Sequence, residues 1–276
     1  MQLGGTNLGF VNQHTLESTL TQLASSGLTV IELGLCAPHI DVQTFDDHAC
    51  QALRRAFEQS GLVCASVNLA ELNLITQNSA LGQLVVDQYL RGFEIAEQLG
   101  AQAVVVVPGR QHPLRPSPPD IALDLFRARL DVLLRKAQQS GVLLALETVP
   151  FGFLQTAREL SDFIHETGHP SLRIALDCAN MLMVEDPALG VADAAGNIQI
   201  CHVSDAWRHR WAHTSVGRGE VDFQGFINAL SAVGYDGPLI YELMDNEDPA
   251  PRLPADVARL NAWIDARRMP QPHDET

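Results

Sequence analysis

The chain has 276 residues, of which 46% are hydrophobic, and this is enough apolar material to bury the core of one large α/β domain. Its 18 basic and 33 acidic residues give a formal net charge of −15. This charge argues against nucleic acid and against anionic membranes as partners, because both are bound through basic surfaces.

The compartment expected from the sequence is the cytoplasm. The N-terminal stretch MQLGGTNLGF lacks the basic and apolar regions of a signal peptide. The apolar runs stay well below the roughly 20 residues of a membrane-spanning helix. The five cysteines form no CxxC pair, and their odd number and scatter are typical of free thiols in a reducing compartment.

Strand-like and helix-like segments alternate along the chain. Apolar runs bounded by Gly, Pro or polar residues predict eight strands, and amphipathic stretches predict helices between them. The predicted strands cover residues 2–8, 28–33, 62–69, 103–107, 142–147, 173–177, 198–203 and 238–243. The predicted helices cover residues 15–26, 44–60, 81–99, 120–140, 156–167, a short stretch after 186, 223–233 and 254–267. A long polar loop is predicted over residues 204–221.

This alternation implies a parallel sheet, because each helix carries the chain back to the start of the next strand. Eight such units predict an α/β fold of the (β/α)8 TIM-barrel type, for which about 250 residues is usual. We expect one domain over residues 1–269 and a polar tail over residues 270–276. The competing architecture is an open doubly wound sheet, but LGGTNLGF is a poor match to the glycine-rich phosphate loop of such a sheet.

Four predicted strands in the second half of the chain end on residues of metal-ligand type. Side chains alternate along a strand, and small or branched apolar residues stand two positions earlier on the same face. The four strand-end residues are Glu147, Asp177, His202 and Glu242. In a TIM barrel they converge on the active-site face, at the C-terminal ends of the strands.

Three carboxylates and an imidazole that converge on one cavity repel and desolvate one another unless a cation compensates them. Carboxylate oxygens with one histidine nitrogen suit one divalent ion, Mn²⁺, Mg²⁺ or Co²⁺, with Zn²⁺ as an alternative. The structural alternative is that each acid is hydrogen-bonded to a loop. The recurrence of such residues at matching depth on consecutive strands favours the metal site.

Four stretches carry a resemblance to a known superfamily. They are LALETVPFGFLQTARELSDFI around Glu147, RIALDCANMLMVEDP around Asp177, ICHVSDAWR around His202, and VGRGEVDFQGFINALSAVGYDGPLIYELM, which contains Glu242. Over essentially its whole length the chain resembles the xylose isomerase-like TIM-barrel superfamily. That superfamily comprises sugar isomerases, epimerases and dehydratases, together with the apurinic-site nuclease endonuclease IV.

The resemblance implies that the four strand-end residues bind one catalytic metal ion. It also implies that Glu147 and Glu242 face each other across the substrate and act as acid and base. One carboxylate would remove a proton next to a carbonyl, and the other would return it to the resulting enediolate. Arg208, six residues after His202, stands where the superfamily has a substrate-binding arginine.

Asn180 departs from the superfamily pattern, which has histidine three residues after the strand-six aspartate. In the epimerases that histidine contacts substrate oxygens near the metal. An asparagine can form hydrogen bonds there but cannot take up a proton near neutral pH. Asn180 is therefore a substrate-binding candidate, and its presence leaves room for a dehydratase or lyase.

Further substrate-binding candidates lie in the loops at the same face of the predicted barrel. His112, with Arg110, follows strand four, and His213 lies in the basic and aromatic segment AWRHRWAH after strand seven. Glu32, at the end of strand two, is expected either to orient a ligand or the substrate or to form a structural salt bridge.

The first functional hypothesis is a metal-dependent isomerase or epimerase that acts on a sugar or polyol and transfers protons through an enediolate. The alternative is a metal-dependent dehydratase or lyase on a keto-polyol, of the inosose or dehydroshikimate dehydratase type. A nuclease of the endonuclease IV type is disfavoured by the charge of −15 and by the lack of histidine at the ends of strands two and three. Because barrels of this superfamily often pair, a homodimer is also expected.

Overall fold

Eight parallel strands close into a barrel in the computed structural model, which describes residues 1–267. The barrel strands are β1 (Gln2–Thr6), β2 (Val30–Gly34), β3 (Val63–Asn68), β4 (Ala103–Val106), β5 (Leu143–Glu147), β6 (Leu172–Asp177), β7 (Ile198–Val203) and β10 (Pro238–Tyr241), and β8 (Asp205–Trp207) and β9 (Arg210–Thr214) form a separate hairpin. Around the barrel the order is β1, β10, β7, β6, β5, β4, β3, β2, after which β2 pairs with β1. The predicted TIM barrel is confirmed, and the predicted tail over 270–276 lies outside the described residues.

The helices follow the predicted pattern, with one addition. They are α1 (Leu16–Ser25), α2 (Asp47–Ser60), α3 (Ser79–Leu99), α4 (Pro119–Ser140), α5 (Ala157–Thr167), α6 (Cys178–Met181), α7 (Pro187–Asp193), α8 (Phe223–Ala232) and α9 (Leu253–Ala266). Helix α5 begins with a capping box between Thr156 and Glu159 and ends at Gly168, whose φ of 63° is left-handed. No helix of the described chain is long and apolar enough to cross a bilayer.

A layer of small and branched side chains fills the inside of the barrel. It consists of Val30, Val105, Ala145, Ala175, Ile200 and Ile240, with Ala65 packed against it. The larger apolar core lies between the strands and the surrounding helices. The inner layer closes the barrel below the strand ends, so the polar residues above it meet at the C-terminal face, as in other TIM barrels.

The segment over 204–221, predicted as a polar loop, is an ordered structure built around the hairpin of β8 and β9. The buried carboxylate of Asp205 accepts hydrogen bonds from the backbone N–H groups of Gly217 and Gly219, both at 2.8 Å, and of Val221 at 3.1 Å. At Gly219 an added Cβ would lie 2.2 Å from the carbonyl oxygen of Ala206, so only glycine fits there. The loop prediction was wrong because these hydrogen bonds join positions 12 to 16 residues apart.

Candidate active site

The four strand-end residues meet at the C-terminal face of the barrel. Each offers one ligand atom, and the four atoms all lie within 4.8 Å of one another. All four side chains are buried, and the set consists of Glu147, Asp177, His202 and Glu242. The register explains this proximity, because Asp177 of β6 stands directly opposite His202 of β7. We refer to these four residues as the ligand ring.

Asp177 has one carboxylate oxygen in the ligand ring that no protein group satisfies. Its Oδ1 accepts hydrogen bonds from the N–H groups of Ala179 at 2.8 Å and Asn180 at 2.9 Å, which makes Asp177 the N-cap of α6. Its Oδ2 is buried and has no hydrogen-bond partner among the described residues. A buried carboxylate oxygen without a donor is costly. Together with the oxygen and nitrogen donors around it, this orphaned atom fits a divalent cation.

His202 lies between the carboxylates of the ligand ring on one side and the carboxylate of Glu32 on the other. Its Nδ1 lies 3.1 Å from Oε1 of Glu147, 3.8 Å from Oδ2 of Asp177 and 3.7 Å from Oε2 of Glu242. Its Nε2 lies 3.0 Å from Oε1 of Glu32. The two ring nitrogens therefore have different partners, with Nδ1 towards the ligand ring and Nε2 towards Glu32.

Glu32 lies behind His202, completely buried in the barrel. Its carboxylate also accepts hydrogen bonds from Oγ of Ser66 at 2.6 Å and Nδ2 of Asn68 at 2.9 Å. Burial alone would raise the pKa of Glu32, but the charge and hydrogen bond of His202 and the two other donors hold that pKa below its usual value. Glu32 thus forms a buried ion pair with His202 and does not line the cavity.

Glu242 follows β10 directly, and its backbone N–H donates to the carbonyl of Val203 at 3.1 Å. Burial raises the pKa of Glu242 well above its usual range, and the neighbouring carboxylates of Glu147 and Asp177 add to this, whereas His202 opposes it. The protein groups alone therefore do not stabilise a fully ionised ligand ring, which again favours a cation.

A cavity of about 270 Å³ opens onto the ligand ring. Glu147 and Glu242 line it, together with Asn180, His213, Arg110 and Trp211. Val149 and Met244 form part of its apolar wall, and no polar or spacing signal in the sequence marks either of them as a cavity residue.

Asn180 and Trp211 are joined inside this cavity. The indole Nε1 of Trp211 donates a hydrogen bond of 2.6 Å to Oδ1 of Asn180. Nδ2 of Asn180 lies 3.5 Å from Oε1 of Glu147. The Trp211 ring contacts Phe151 edge to face, with 5.8 Å between the ring centroids. Trp211 is thus a wall of the cavity that sequence reasoning placed only in a general basic and aromatic loop.

His213, from β9, is buried beside the ligand ring. Its Nδ1 lies 2.9 Å from Oγ of Ser204 and 3.5 Å from Oε2 of Glu242. The backbones of these two segments are also linked, because the N–H of Met244 donates to the carbonyl of His213 at 2.8 Å. The structure therefore brings His213 into the site together with the four ring residues and Asn180.

Arg208 and His112, both expected to bind substrate, have exposed side chains and do not line the cavity. The backbone N–H of Arg208 donates to Oε2 of Glu220 at 2.9 Å. Nδ1 of His112 accepts from the N–H of Leu114 at 3.2 Å. The expectation for Arg208 came from the superfamily pattern, and in this structure Arg208 lies at the turn between β8 and β9.

Comparisons with known proteins agree with this architecture. A ketose 3-epimerase of Arthrobacter globiformis is 24% identical over 275 residues, which cover 95% of this chain and 89% of that protein. An L-ribulose 3-epimerase of Mesorhizobium japonicum is 27% identical over 262 residues, covering 92% and 84%. These relatives are epimerases, in agreement with the isomerase class expected from the sequence.

Solved structures show the same fold. A D-tagatose 3-epimerase-like protein superimposes with a TM-score of 0.82 at 20% identity, covering 98% of this chain and 100% of the other. The 3-keto-D-glucoside 4-epimerase of E. coli gives a TM-score of 0.79 at 21% identity, with 95% and 99% coverage. The family model described as xylose isomerase-like TIM barrel matches residues 20–264. This chain therefore belongs to the xylose isomerase-like TIM barrel family.

Proposed function

We propose that the protein is a divalent-metal-dependent epimerase or isomerase of keto-sugars, with Glu147 and Glu242 as the groups that transfer protons. One observation carries the proposal: these two carboxylates line the same cavity, within the set of ligand atoms that surrounds the orphaned Oδ2 of Asp177. The names of the relatives, ketose 3-epimerase and L-ribulose 3-epimerase, support the substrate class.

The ligand ring would hold the metal, with Mn²⁺, Mg²⁺ or Co²⁺ favoured by its three carboxylates and Zn²⁺ as an alternative. When bound, the cation would supply positive charge that stabilises negative charge on substrate oxygens. With a metal ion in the ligand ring, Glu32 would act on His202: an ionised carboxylate only accepts hydrogen bonds, so Nε2 of His202 would keep its proton and Nδ1 would offer its lone pair to the metal.

The reaction would need two proton transfers between carbon and carboxylate, with one glutamate ionised and the other protonated at the start. One glutamate takes the proton from the carbon next to the carbonyl, and the C–H electron pair moves into the enediolate. The other glutamate returns a proton to the opposite face of the same carbon, or to the adjacent carbon. Epimerisation and isomerisation differ in the carbon that receives the proton, and isomerisation also moves a hydroxyl proton to the former carbonyl oxygen.

Asn180 would act as a hydrogen-bond donor to the substrate. Its Oδ1 accepts from the indole of Trp211 and its Nδ2 donates one hydrogen to Oε1 of Glu147, which leaves the second hydrogen of Nδ2 for a substrate oxygen. The alternative function, a dehydratase, needs a group that protonates a departing hydroxyl. His213 is the candidate for that task because it lines the cavity and lies 3.5 Å from Glu242.

The test is proton exchange in D₂O, followed by NMR, with Mn²⁺-loaded enzyme and a panel of neutral, phosphorylated and carboxylated ketoses. We expect deuterium at the carbon next to the carbonyl together with an epimer or isomer. Glu147→Gln and Glu242→Gln should each lower this exchange by about 100-fold or more, because each removes a proton-transfer group. The exposed Glu71→Gln is the control and should exchange normally.

Two results would contradict this assignment. Normal turnover in both Glu147→Gln and Glu242→Gln would exclude the two-carboxylate mechanism. A dehydrated product in place of an epimer would identify a lyase. Removal of the metal with EDTA should abolish the exchange and added Mn²⁺ should restore it, whereas full activity after EDTA would exclude a metal-dependent reaction.

A further inference from the structure

Arg110, in the segment between β4 and α4, brings a positive charge into the cavity that contains Glu147 and Glu242. The rest of the cavity wall in the described chain contains no lysine and no second arginine. The protein has 33 acidic residues and a net charge of −15, so we would expect a guanidinium to form an ion pair with one of them. Among the residues described, no carboxylate forms an ion pair with Arg110, and this leaves its charge available to a ligand.

The protein holds Arg110 in place with neutral groups. Its Nη1 donates to the carbonyl of Ala70 at 3.0 Å, and its guanidinium carbon lies 5.8 Å from the centroid of the Trp211 ring. The side chain of Asn73 pairs with both backbone groups of Arg110, at 3.2 and 3.1 Å. An isolated bridge to Gly152 ties the same segment to the loop after β5. The position of Arg110 is therefore fixed while its charge remains uncompensated.

One donor of Arg110 is left without an acceptor. Its Nε is buried, yet no described residue accepts a hydrogen bond from it. An unsatisfied buried donor is costly, more so on a charged group. The planar fork of an arginine fits the oxygens of a carboxylate or a phosphate, and such hydrogen bonds are stronger than those between neutral groups.

We propose that Arg110 binds an anionic group, a carboxylate or a phosphate, carried by the keto-sugar substrate. The inference rests on the proposed function and narrows its substrate class from ketoses in general to anionic ketoses. The cavity of about 270 Å³ is at the small end of ligand sites, which limits the ligand to one sugar unit. Arg110 lines this cavity, whereas the side chain of Arg208 is exposed.

The experiment compares Arg110→Met with the matched variant Arg135→Met, which removes the same charge from an exposed position on α4. Each Mn²⁺-loaded enzyme is assayed with a neutral ketose, its terminal phosphate ester, and the keto acid whose terminal carbon is a carboxylate. We expect the wild type to prefer one of the two anionic substrates by about 10-fold or more in kcat/KM. Arg110→Met should lose about 30-fold on that substrate, and Arg135→Met should stay close to the wild type.

The neutral ketose is the internal control for folding. Arg110→Met should keep its kcat/KM on the neutral substrate within about 3-fold, and Arg110→Lys should recover part of the loss on the anionic one. Which of the two anionic substrates is preferred distinguishes a phosphate from a carboxylate. Equal use of neutral and anionic ketoses by the wild type would overturn the inference, as would an equal loss on all substrates in Arg110→Met.

Binding of inorganic phosphate, measured by calorimetry, separates this inference from the proposed function. If no ketose is turned over but Arg110→Met still weakens phosphate binding relative to Arg135→Met, the proposed function fails and the anion site stands. If ketoses are turned over, and neither phosphate binding nor anionic substrate preference depends on Arg110, the anion site fails and the proposed function stands.

Discussion

At the scale of single residues, the contact between Glu32 and His202 holds the imidazole of His202 in its position beside the ligand ring. A metal-binding histidine needs one nitrogen free of its proton, and a carboxylate on the other nitrogen provides this by accepting the remaining N–H. In the proposed metal site Glu32 would meet this need from β2, on the far side of the imidazole from the ligand ring. Ser66 and Asn68 in turn hold Glu32 at 2.6 and 2.9 Å.

Glu32→Gln tests this arrangement through the metal rather than through turnover. A glutamine can donate an N–H to Nε2. This permits the His202 tautomer that carries its proton on Nδ1, and it weakens His202 as a metal ligand. We expect Mn²⁺ affinity to fall by about 10- to 100-fold in a chelator competition assay, with the circular dichroism spectrum unchanged. Glu71→Gln, which changes an exposed glutamate in the same way, should bind Mn²⁺ normally. Unaltered affinity in Glu32→Gln would show that Glu32 does not orient the ligand.

At the scale of secondary-structure elements, the hairpin of β8 and β9 shapes the cavity. It carries both Trp211 and His213 into the site. Its position depends on Asp205, which is 1% exposed and accepts four backbone hydrogen bonds, counting one from Ala206. The polar residues over 204–221 predict a loop. The hydrogen bonds that order this segment join distant positions, and no local sequence pattern shows them.

Asp205→Ala should therefore cost more stability than an ordinary capping substitution. It leaves several buried N–H groups without an acceptor, at about 1 to 3 kcal/mol for each group that water does not reach. We expect the free energy of unfolding in urea to fall by about 3 kcal/mol or more. Asp222→Ala is the matched control: Asp222 caps α8 with one hydrogen bond, to Gly225 at 2.9 Å, and its loss should cost about 1 kcal/mol. Equal losses in the two variants would contradict the anchoring role of Asp205.

At the scale of the whole molecule, an ion pair links the chain after β10 to the start of α9. Arg252 donates from both terminal nitrogens to Asp245, at 2.7 Å each, and Asp245 also accepts from Thr214 of β9 at 3.1 Å. The hydrogen bond from Arg252 is the main reason that the pKa of Asp245 lies below its usual value, although burial opposes it. The ion pair thereby connects three parts of the structure: the hairpin of β8 and β9, the chain after β10, and the start of α9.

This ion pair predicts part of the acid sensitivity of the protein. A carboxylate whose folded-state pKa is lowered stabilises the fold above its unfolded-state pKa, and that contribution is lost as the pH falls through the folded-state pKa. Asp245→Asn should lower the free energy of unfolding by about 1 kcal/mol at pH 7. The difference from the wild type should shrink below about pH 4, when urea unfolding is repeated across the pH range.

The exposed Asp124→Asn is the control for this series and should follow the wild type at every pH. A stability difference between Asp245→Asn and the wild type that stays constant from neutral to acidic pH would exclude the ion pair as its source.

The barrel and the ligand ring follow from the amino-acid sequence alone, because both depend on local patterns. Short apolar runs separated by amphipathic helices predict the parallel strands, and side-chain alternation assigns Glu147, Asp177 and His202 to the inner face. All parallel strands end at one face of a TIM barrel, so the pattern groups residues that are far apart in the chain. The ligand atoms do lie within 4.8 Å of one another.

The support of these residues and the walls around them depend on tertiary contacts instead. Glu32 and His202 are 170 positions apart, and Trp211 and Asn180 are 31 apart, so no periodic pattern links either pair. The exposed position of Arg208 and the cavity position of Arg110 depend on the fold of two loops, whose paths are fixed by hydrogen bonds to Asp205 and Asn73. Strand ends are set by local sequence, whereas the loops that complete the site are set by contacts across the chain.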